Sequence, residues 1–385
     1  MPYVARTGVV GVAIAPSVTG HERSLEELLY HVTQDALRDA GMTIEDIDGI
    51  VVASNDQYDG RAISVMMASA GVGGVDRDIL STPSAGEHAF VMGALRVATG
   101  QYRTQLVVSW SPTEAAPLRE AQRLAADPYF HRRLPLDEMA SHALQAGVLI
   151  DKVPGVEALA EKVSAKNRAN GQKAYPAETG TRNGGDADKL PWPLQPGMVS
   201  PPTTGAVALV LASEAYASEH PELHVAWVSG MGWATEAAYL GDRDLSDMSS
   251  LREAARQAYG EAGISDPAGA VDVAEVADAT PYQELLALEA LGLAGRDQWQ
   301  ARLDDGTFGP GGALPVNLSG GATSLNPVYC TGLQRIAEVA RRVLGRGGPG
   351  DARPARAGLA HAASGYAMQY NTVVVLRRDK EGAPA

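Results

Sequence analysis

Apolar runs alternate with helical stripes from the start of this chain. Val9 to Ala15 is a run of small apolar residues that reads as a buried strand. His21 to Gly41 then sets Leu25, Leu28, Leu29, Val32 and Leu37 on one helical face and stops at a glycine. Gly49 to Ser54 predicts a second buried strand, and Ala62 to Ala70 a short helix of small residues and methionine. Ile79 to Thr82 follows as a brief strand, Ala89 to Thr99 as a helix ended by Gly100, and Thr104 to Trp110 as another buried strand. This alternation predicts an α/β fold with a mostly parallel sheet and helices on its faces.

From Ser111 to Pro202 the pattern breaks. Prolines crowd the stretch, and helical periodicity returns only near Leu136–Ile150 and Val156–Asn170. An insertion of this length in an α/β domain reads as a lid or binding region. Thr204 to Ala212 resumes as a strand, and the element sequence then repeats. His224–Met231, Val271–Val276 and Leu314–Asn317 read as strands, alternating with helices over Ser249–Gly263, Tyr282–Leu291 and Leu333–Leu344. Gly345–Pro354 reads as a surface link, and Ala357–His361 and Asn371–Leu376 as closing strands. The expectation is two duplicated halves, residues 1–222 with an insertion over 111–202, and residues 223–385. Ser84-Ala85-Gly86 opens a helix in the first half as Ser319-Gly320-Gly321 leads to one in the second. Duplication would bring the two helix starts together near a pseudo-twofold axis, with a site between them.

Composition narrows the classes. Hydrophobic residues make up 45% of 385, which marks a globular chain. No apolar run is long enough to span a bilayer, and the first residues lack the basic flank of a secretory signal. The single cysteine, Cys330, leaves no partner for an internal disulfide and no multi-cysteine zinc site, which fits a reducing cytoplasm. A net charge of −14 argues against nucleic acid. An anionic ligand needs only local arginines. Arg132 and Arg133 in the insertion are either that or a solvated basic pair.

The densest chemistry lies between Pro315 and Gly332. A short apolar strand turns on Gly320-Gly321 and runs into a helix whose Leu333, Ile336, Ala337, Ala340, Val343 and Leu344 share one face. Pro327 suits the first turn of that helix. Asn326, Tyr329 and Cys330 then sit at a helix N-terminus, where free N–H groups favour developing negative charge.

These stretches resemble motifs of the thiolase superfamily, in order and over nearly the whole chain. Asn317-Leu318-Ser319-Gly320-Gly321 resembles the Asn-x-Ser-Gly-Gly motif. Asn326-Pro327-Val328-Tyr329-Cys330-Thr331-Gly332 resembles the Gly-His-Pro-x-Gly-Ala-Thr-Gly motif. Asp278-Ala279-Thr280 with Glu289-Ala290-Leu291-Gly292, Thr204-Gly205-Ala206-Val207-Ala208, and Gly365 to Asn371 resemble three further blocks. The resemblance implies a thiolase-like fold, two βαβαβ halves in a five-layered α-β-α-β-α core. It also implies a CoA or carrier-protein thioester as substrate, no tightly bound cofactor and a homodimer.

The departures redirect the chemistry. The nucleophilic cysteine position is Pro83, the histidine before Pro327 is Asn326, and no second cysteine lies around Ala362–Gly365. An acyl-enzyme route needs a thiolate and its base. The chain is more similar to a cysteine-free branch, the lipid-transfer-protein-type aldolases of steroid side-chain breakdown. These cleave a β-hydroxyacyl-CoA by retro-aldol chemistry beside a small zinc-ribbon/OB-fold partner. One catalytic tyrosine of that branch falls at Tyr329. The other would fall at Thr280, with Tyr282 two residues on.

The resulting expectation is a carbon–carbon lyase with Tyr329, Tyr282, His88 and Asn326 as catalytic residues. Ser84, Gly86, Gly320, Gly321, Cys330 and Tyr370 would line the substrate. Tyr329 would have a lowered pKa, or else be a core tyrosine. Tyr282 would be its partner or pack on the sheet. His88 would bind the thioester oxygen or face solvent, and Ser84 and Asn326 would donate hydrogen bonds or cap helices. Two rival functions remain, a catalytically silent subunit of a heteromeric complex and an acyltransferase using Cys330.

Overall fold

The computed structural model describes residues 5–15, 23–83, 85–113, 115, 117–179, 190–347 and 354–379. Ser84 and part of the Gly345–Pro354 link lie outside them. The strands are β1 (Thr7–Ile14), β2 (Gly49–Ser54), β3 (Asp78–Pro83), β4 (Thr104–Ser111), β5 (Gly205–Ser213), β6 (Ala226–Thr235), β7 (Val273–Glu275), β8 (Ala357–Ser364) and β9 (Tyr370–Arg377). The longer helices are α1 (Leu25–Ala40), α2 (Gly86–Ala98), α3 (Glu138–Lys152), α4 (Val156–Ala174), α5 (Ser249–Ala262), α6 (Pro281–Ala290) and α7 (Thr331–Val343).

The strands form one sheet in the order β3-β2-β4-β5-β1-β6-β9-β8-β7. Read inward from each edge, β3-β2-β4-β5-β1 is matched by Val316-β7-β8-β9-β6, which is the duplication expected from the sequence. The Leu314–Asn317 strand reduces to one bridge, Ala274 to Val316. Only Gly8–Trp227 and Val9–Ala226 join the halves across β1 and β6. The sheet is mixed rather than mostly parallel. β2 pairs in parallel with β3 and β4, and β7 with β8, but β5 and β9 run antiparallel to both their neighbours. Each half ends on a strand that returns without a crossover helix: β5 comes back from the insertion, and β9 from a short turn after β8. No helix of the described residues is long and apolar enough to cross a membrane.

Local chemistry sets the helix ends. α1 begins at Leu25 because Ser24 and Glu27 form a reciprocal capping box, and it stops at Gly41 in the left-handed region. β2, β4 and β5 are buried along their whole length, so their valines and leucines each contribute about 1.5–3 kcal/mol of transfer free energy.

The equivalent helices α2 and α7 pack on each other, α2 against β4 and β2, α7 against β8. Their first turns pass too closely for side chains. A Cβ on Gly86 would lie 2.7 Å from Leu333 Cβ, and one on Gly332 would lie 2.0 Å from Glu87 Oε2. The insertion beds onto the opposite half: α4 packs on α6 and on the short helix Gly321–Ser324. It shares a second core there with Tyr282, Leu285, Trp299 and Phe308.

Candidate active site

Tyr329 lies in a tight turn, Val328–Cys330, that feeds α7, and it is half-buried. Ser109 at the end of β4 donates to its backbone carbonyl at 3.3 Å. Its ring stands edge-on to Tyr58, with centroids 5.4 Å apart. Tyr58 and Asp59 come from the short helix Asp56–Asp59, capped by Asn55, which receives the Tyr58 N–H at 2.9 Å. Trp110 Nε1 donates to Asp59 at 3.0 Å. Burial lifts Asp59 to about 6, against the pull of the Ser64 and Trp110 hydrogen bonds.

The insertion supplies Glu138, the first residue of α3. Asp137 caps that helix, accepting the Ala140 N–H at 2.8 Å. Gln122 and the Gly365 N–H both donate to the Glu138 carboxylate. Burial, then the charges of Asp137 and Glu87, raise Glu138 to about 7, while the Gly365 hydrogen bond opposes them. Glu87, in the first turn of α2, is 2% exposed, and its Oε1 has no hydrogen-bond partner among the described residues. Tyr366, from the β8–β9 turn, reaches the Leu136 carbonyl at 3.4 Å and stands edge-on to His131 at 5.8 Å.

Burial, then Glu138, Tyr58 and Asp59, push the Tyr329 hydroxyl well above the ordinary phenol range. This corrects the expectation of a lowered value. Burial first, and the nearby acids after it, favour the neutral phenol.

The other expected residues divide. His88 and Tyr370 meet edge-on with centroids 5.9 Å apart, next to Glu87 in sequence. Asn326 ties the chain locally. Its side chain donates to the Ser200 carbonyl at 3.4 Å and its carbonyl accepts the Thr203 N–H at 2.9 Å, so it anchors the end of the insertion. Gly86, Gly320 and Gly321 sit where a side chain would not fit. Gly320 (φ 89°) would place a Cβ 2.4 Å from Gly171 Cα, and Gly321 (φ 63°) one 2.0 Å from Asp278 Oδ2. Cys330 is fully buried in the main core, and its thiol reaches the Gly205 carbonyl at 3.4 Å and hydrogen-bonds with the Ser109 side chain. Burial raises it far above the thiolate range, which removes it as a nucleophile. Tyr282 also leaves the site. It is 1% exposed in the second core, where burial and then Glu157 and Glu161 of α4 push it to about 12. Thr280, beside it, is the buried N-cap of α6.

Sequence reasoning missed Glu87, Glu138, Asp59 and Tyr366. One signal was present: Glu87 lies on the helical stripe of Phe90, Val91 and Ala94, a charge in an apolar row. Nothing local marked Asp59 or Glu138.

Residues 232–378 match the thiolase C-terminal domain-like family. The chain is 28% identical to an acetyl-CoA acetyltransferase of Methanothermobacter thermautotrophicus over 54% of each chain. It is 30% identical to the 17-hydroxy-3-oxo-4-pregnene-20-carboxyl-CoA lyase of Mycobacterium tuberculosis over 37% of each. The matched stretches thus span about half and about a third of these relatives. The solved structure described as Ltp2-ChsH2(DUF35) aldolase superposes with a TM-score of 0.79 at 18% identity, covering 99% of this chain and 100% of that one. With this architecture over the whole chain and this match over residues 232–378, the chain has a thiolase-like fold, and its second half resembles the thiolase C-terminal domain-like family.

Proposed function

We propose that this chain makes or breaks a carbon–carbon bond beside a CoA or carrier-protein thioester, by aldol or retro-aldol chemistry, with no acyl-enzyme and no tightly bound cofactor. The observation that carries this reading is the placing of Tyr329, Glu87 and Glu138 close enough to act on one another's charge where α2 and α7 begin, with a proline at the thiolase nucleophile position. In the retro direction the β-hydroxyl gives up its proton, the Cα–Cβ bond breaks, and its electrons enter a thioester enolate that is protonated at Cα. Tyr329 donates a hydrogen bond to the oxygen that gathers charge, and the start of the 13-residue helix α7 adds its dipole. The lyase relative and the aldolase neighbour support this class of reaction over acyl transfer.

The reading extends to a cytoplasmic homodimer that works with a small OB-fold partner, since the aldolase neighbour's description names a DUF35 subunit. The test is a panel of β-hydroxyacyl-CoAs, assayed with and without such a partner for release of aldehyde or ketone. Tyr329→Phe is expected to lower release about 10²–10⁴-fold. No release under any condition would instead mark a silent subunit.

A further inference from the structure

The proposed chemistry needs a group that moves a proton, and the geometry at the same site supplies one. This step rests on the aldol reading. Glu138 is fixed from three directions. Its helix start is capped by Asp137, whose other oxygen pairs with Arg119 Nε at 3.0 Å, and its carboxylate takes hydrogen bonds from Gln122 and from the Gly365 N–H. No lysine or arginine among the described residues forms an ion pair with it. The ionisable groups around it are Asp137 on its own helix, Glu87 on α2, Tyr329 before α7 and Tyr366 after β8. Asp59 lies across Tyr329, and Arg123 acts on Tyr366. An acid surrounded by acids and phenols, with no cation to hold its charge, holds a proton readily and can release it.

We propose that Glu138 shuttles the reaction's proton between the β-oxygen and the α-carbon of the thioester. Its carboxylate takes the β-hydroxyl proton, the freed O–H electrons form the carbonyl, and the Cα–Cβ pair passes into the enolate. The carboxylic acid then returns the same proton to Cα, so no outside acid, base or oxidant is consumed. Tyr329 keeps its own proton throughout. With Glu138 near 7, both of its forms are populated at neutrality, as a shuttle requires.

The test follows exchange of the α-protons of propionyl-CoA in D2O by NMR, which needs no carbon–carbon bond to break. The wild-type rate is expected to rise with pH through about 7 and then level off, as the carboxylate forms. Glu138→Gln is expected to lower the plateau about 10²–10⁴-fold, Glu138→Asp to keep a residual rate, and Tyr329→Phe to slow exchange while leaving the limb near 7. The wild-type limb gives a reading even if a variant folds poorly. A Glu138→Gln rate within about twofold of wild type, a profile without that limb, or no wild-type exchange overturns the proposal. Exchange that depends on Glu138 without cleavage of any β-hydroxyacyl-CoA overturns the aldol reading instead, and leaves Glu138 as the α-carbon base.

Discussion

Two buried acid clusters flank the central helices, and they are finished differently. In the second half the buried acids Asp278, Glu284 and Glu275 each have amide, hydroxyl or cationic partners. Asp278 receives the Ala322 N–H at 2.6 Å, the Thr323 N–H at 3.3 Å and Asn167 Nδ2 at 2.8 Å. Glu284 meets Lys166 at 3.0 Å and Asn317 Nδ2 at 2.7 Å, and Glu275 meets Arg335 at 3.1 Å and Ser319 Oγ at 2.6 Å. In the other cluster Glu87 keeps an unpartnered oxygen and Glu138 has no cation. Both clusters hold an acid near 7, Asp278 and Glu138, each raised first by burial. A raised value alone therefore does not distinguish a reactive acid from a structural one. Access and ionic surroundings do: Asp278 is fully buried, while Glu138 is half-buried and has no ion pair among the described residues.

The sharpest way to break this contrast is to remove one acid from each side. Asp278→Ala strips the partner from two backbone N–H groups and the Asn167 amide in a dry interior. It is expected to cost about 3–5 kcal/mol in urea unfolding. Gly321→Ala attacks the same contact from the other side, since its Cβ would lie 2.0 Å from Asp278 Oδ2. A loss under about 1 kcal/mol for Asp278→Ala would mean that the paired cluster does not hold the turn.

Glu138→Gln is expected to act in the opposite direction. Glu138 is raised from 4.5 to about 7, so the folded state binds its proton more tightly than the unfolded chain does. The stability this supplies is complete below about pH 4.5 and is lost as pH rises through 7. Glutamine never ionises. The variant should therefore be more stable than wild type at pH 8, by about 1–3 kcal/mol after allowance for partial exposure, and the gain should vanish toward pH 4. Paired melts at the two pH values measure this, and a variant less stable at pH 8 than at pH 4, relative to wild type, would contradict it. Stability gained while exchange is lost would mark a site held under strain for function.

The same contrast explains what could be read in advance. Buried strands and helical stripes are local patterns, so most strand positions, the duplication and the central pair of helices were legible. The antiparallel direction of β5 and β9 depends on how connections return and has no local signature. The motif Asn317 to Gly321 drew attention to itself because its residues are constrained. Asn317 adopts φ 52° and accepts the Val276 N–H at 2.8 Å, and both glycines face close backbone or carboxylate. Those constraints are structural. The groups around Tyr329 come from four separate segments, each ordinary in sequence, and only the fold makes them neighbours.

Cys330→Ala sharpens the contrast from the core side. The thiol touches apolar neighbours, the Gly205 carbonyl and the Ser109 side chain, so its loss is expected to cost about 1–2 kcal/mol through a small cavity and a lost weak hydrogen bond. Aldehyde release should stay within about twofold of wild type. Native protein should also resist iodoacetamide until it is unfolded, because the thiolate that would react is suppressed by burial. Rapid alkylation of the folded chain, read by intact mass, would show that the Cys330 face opens to solvent.

Tyr282→Phe should change least, and that is its value. Two phenols lie at comparable helix starts, Tyr282 in α6 and Tyr329 before α7. The first is packed among Leu285, Leu286 and Trp299 with the α4 acids Glu157 and Glu161 as its charged neighbours. The second faces Glu138 and Asp59. Removing the Tyr282 hydroxyl takes a polar atom out of an apolar setting, so stability should move by no more than about 1 kcal/mol. Activity should stay within about twofold, against the large loss expected for Tyr329→Phe. Equal losses for the two variants in the release assay, with both proteins folded by circular dichroism, would show that the phenols act on one substrate and that the two clusters are parts of a single site.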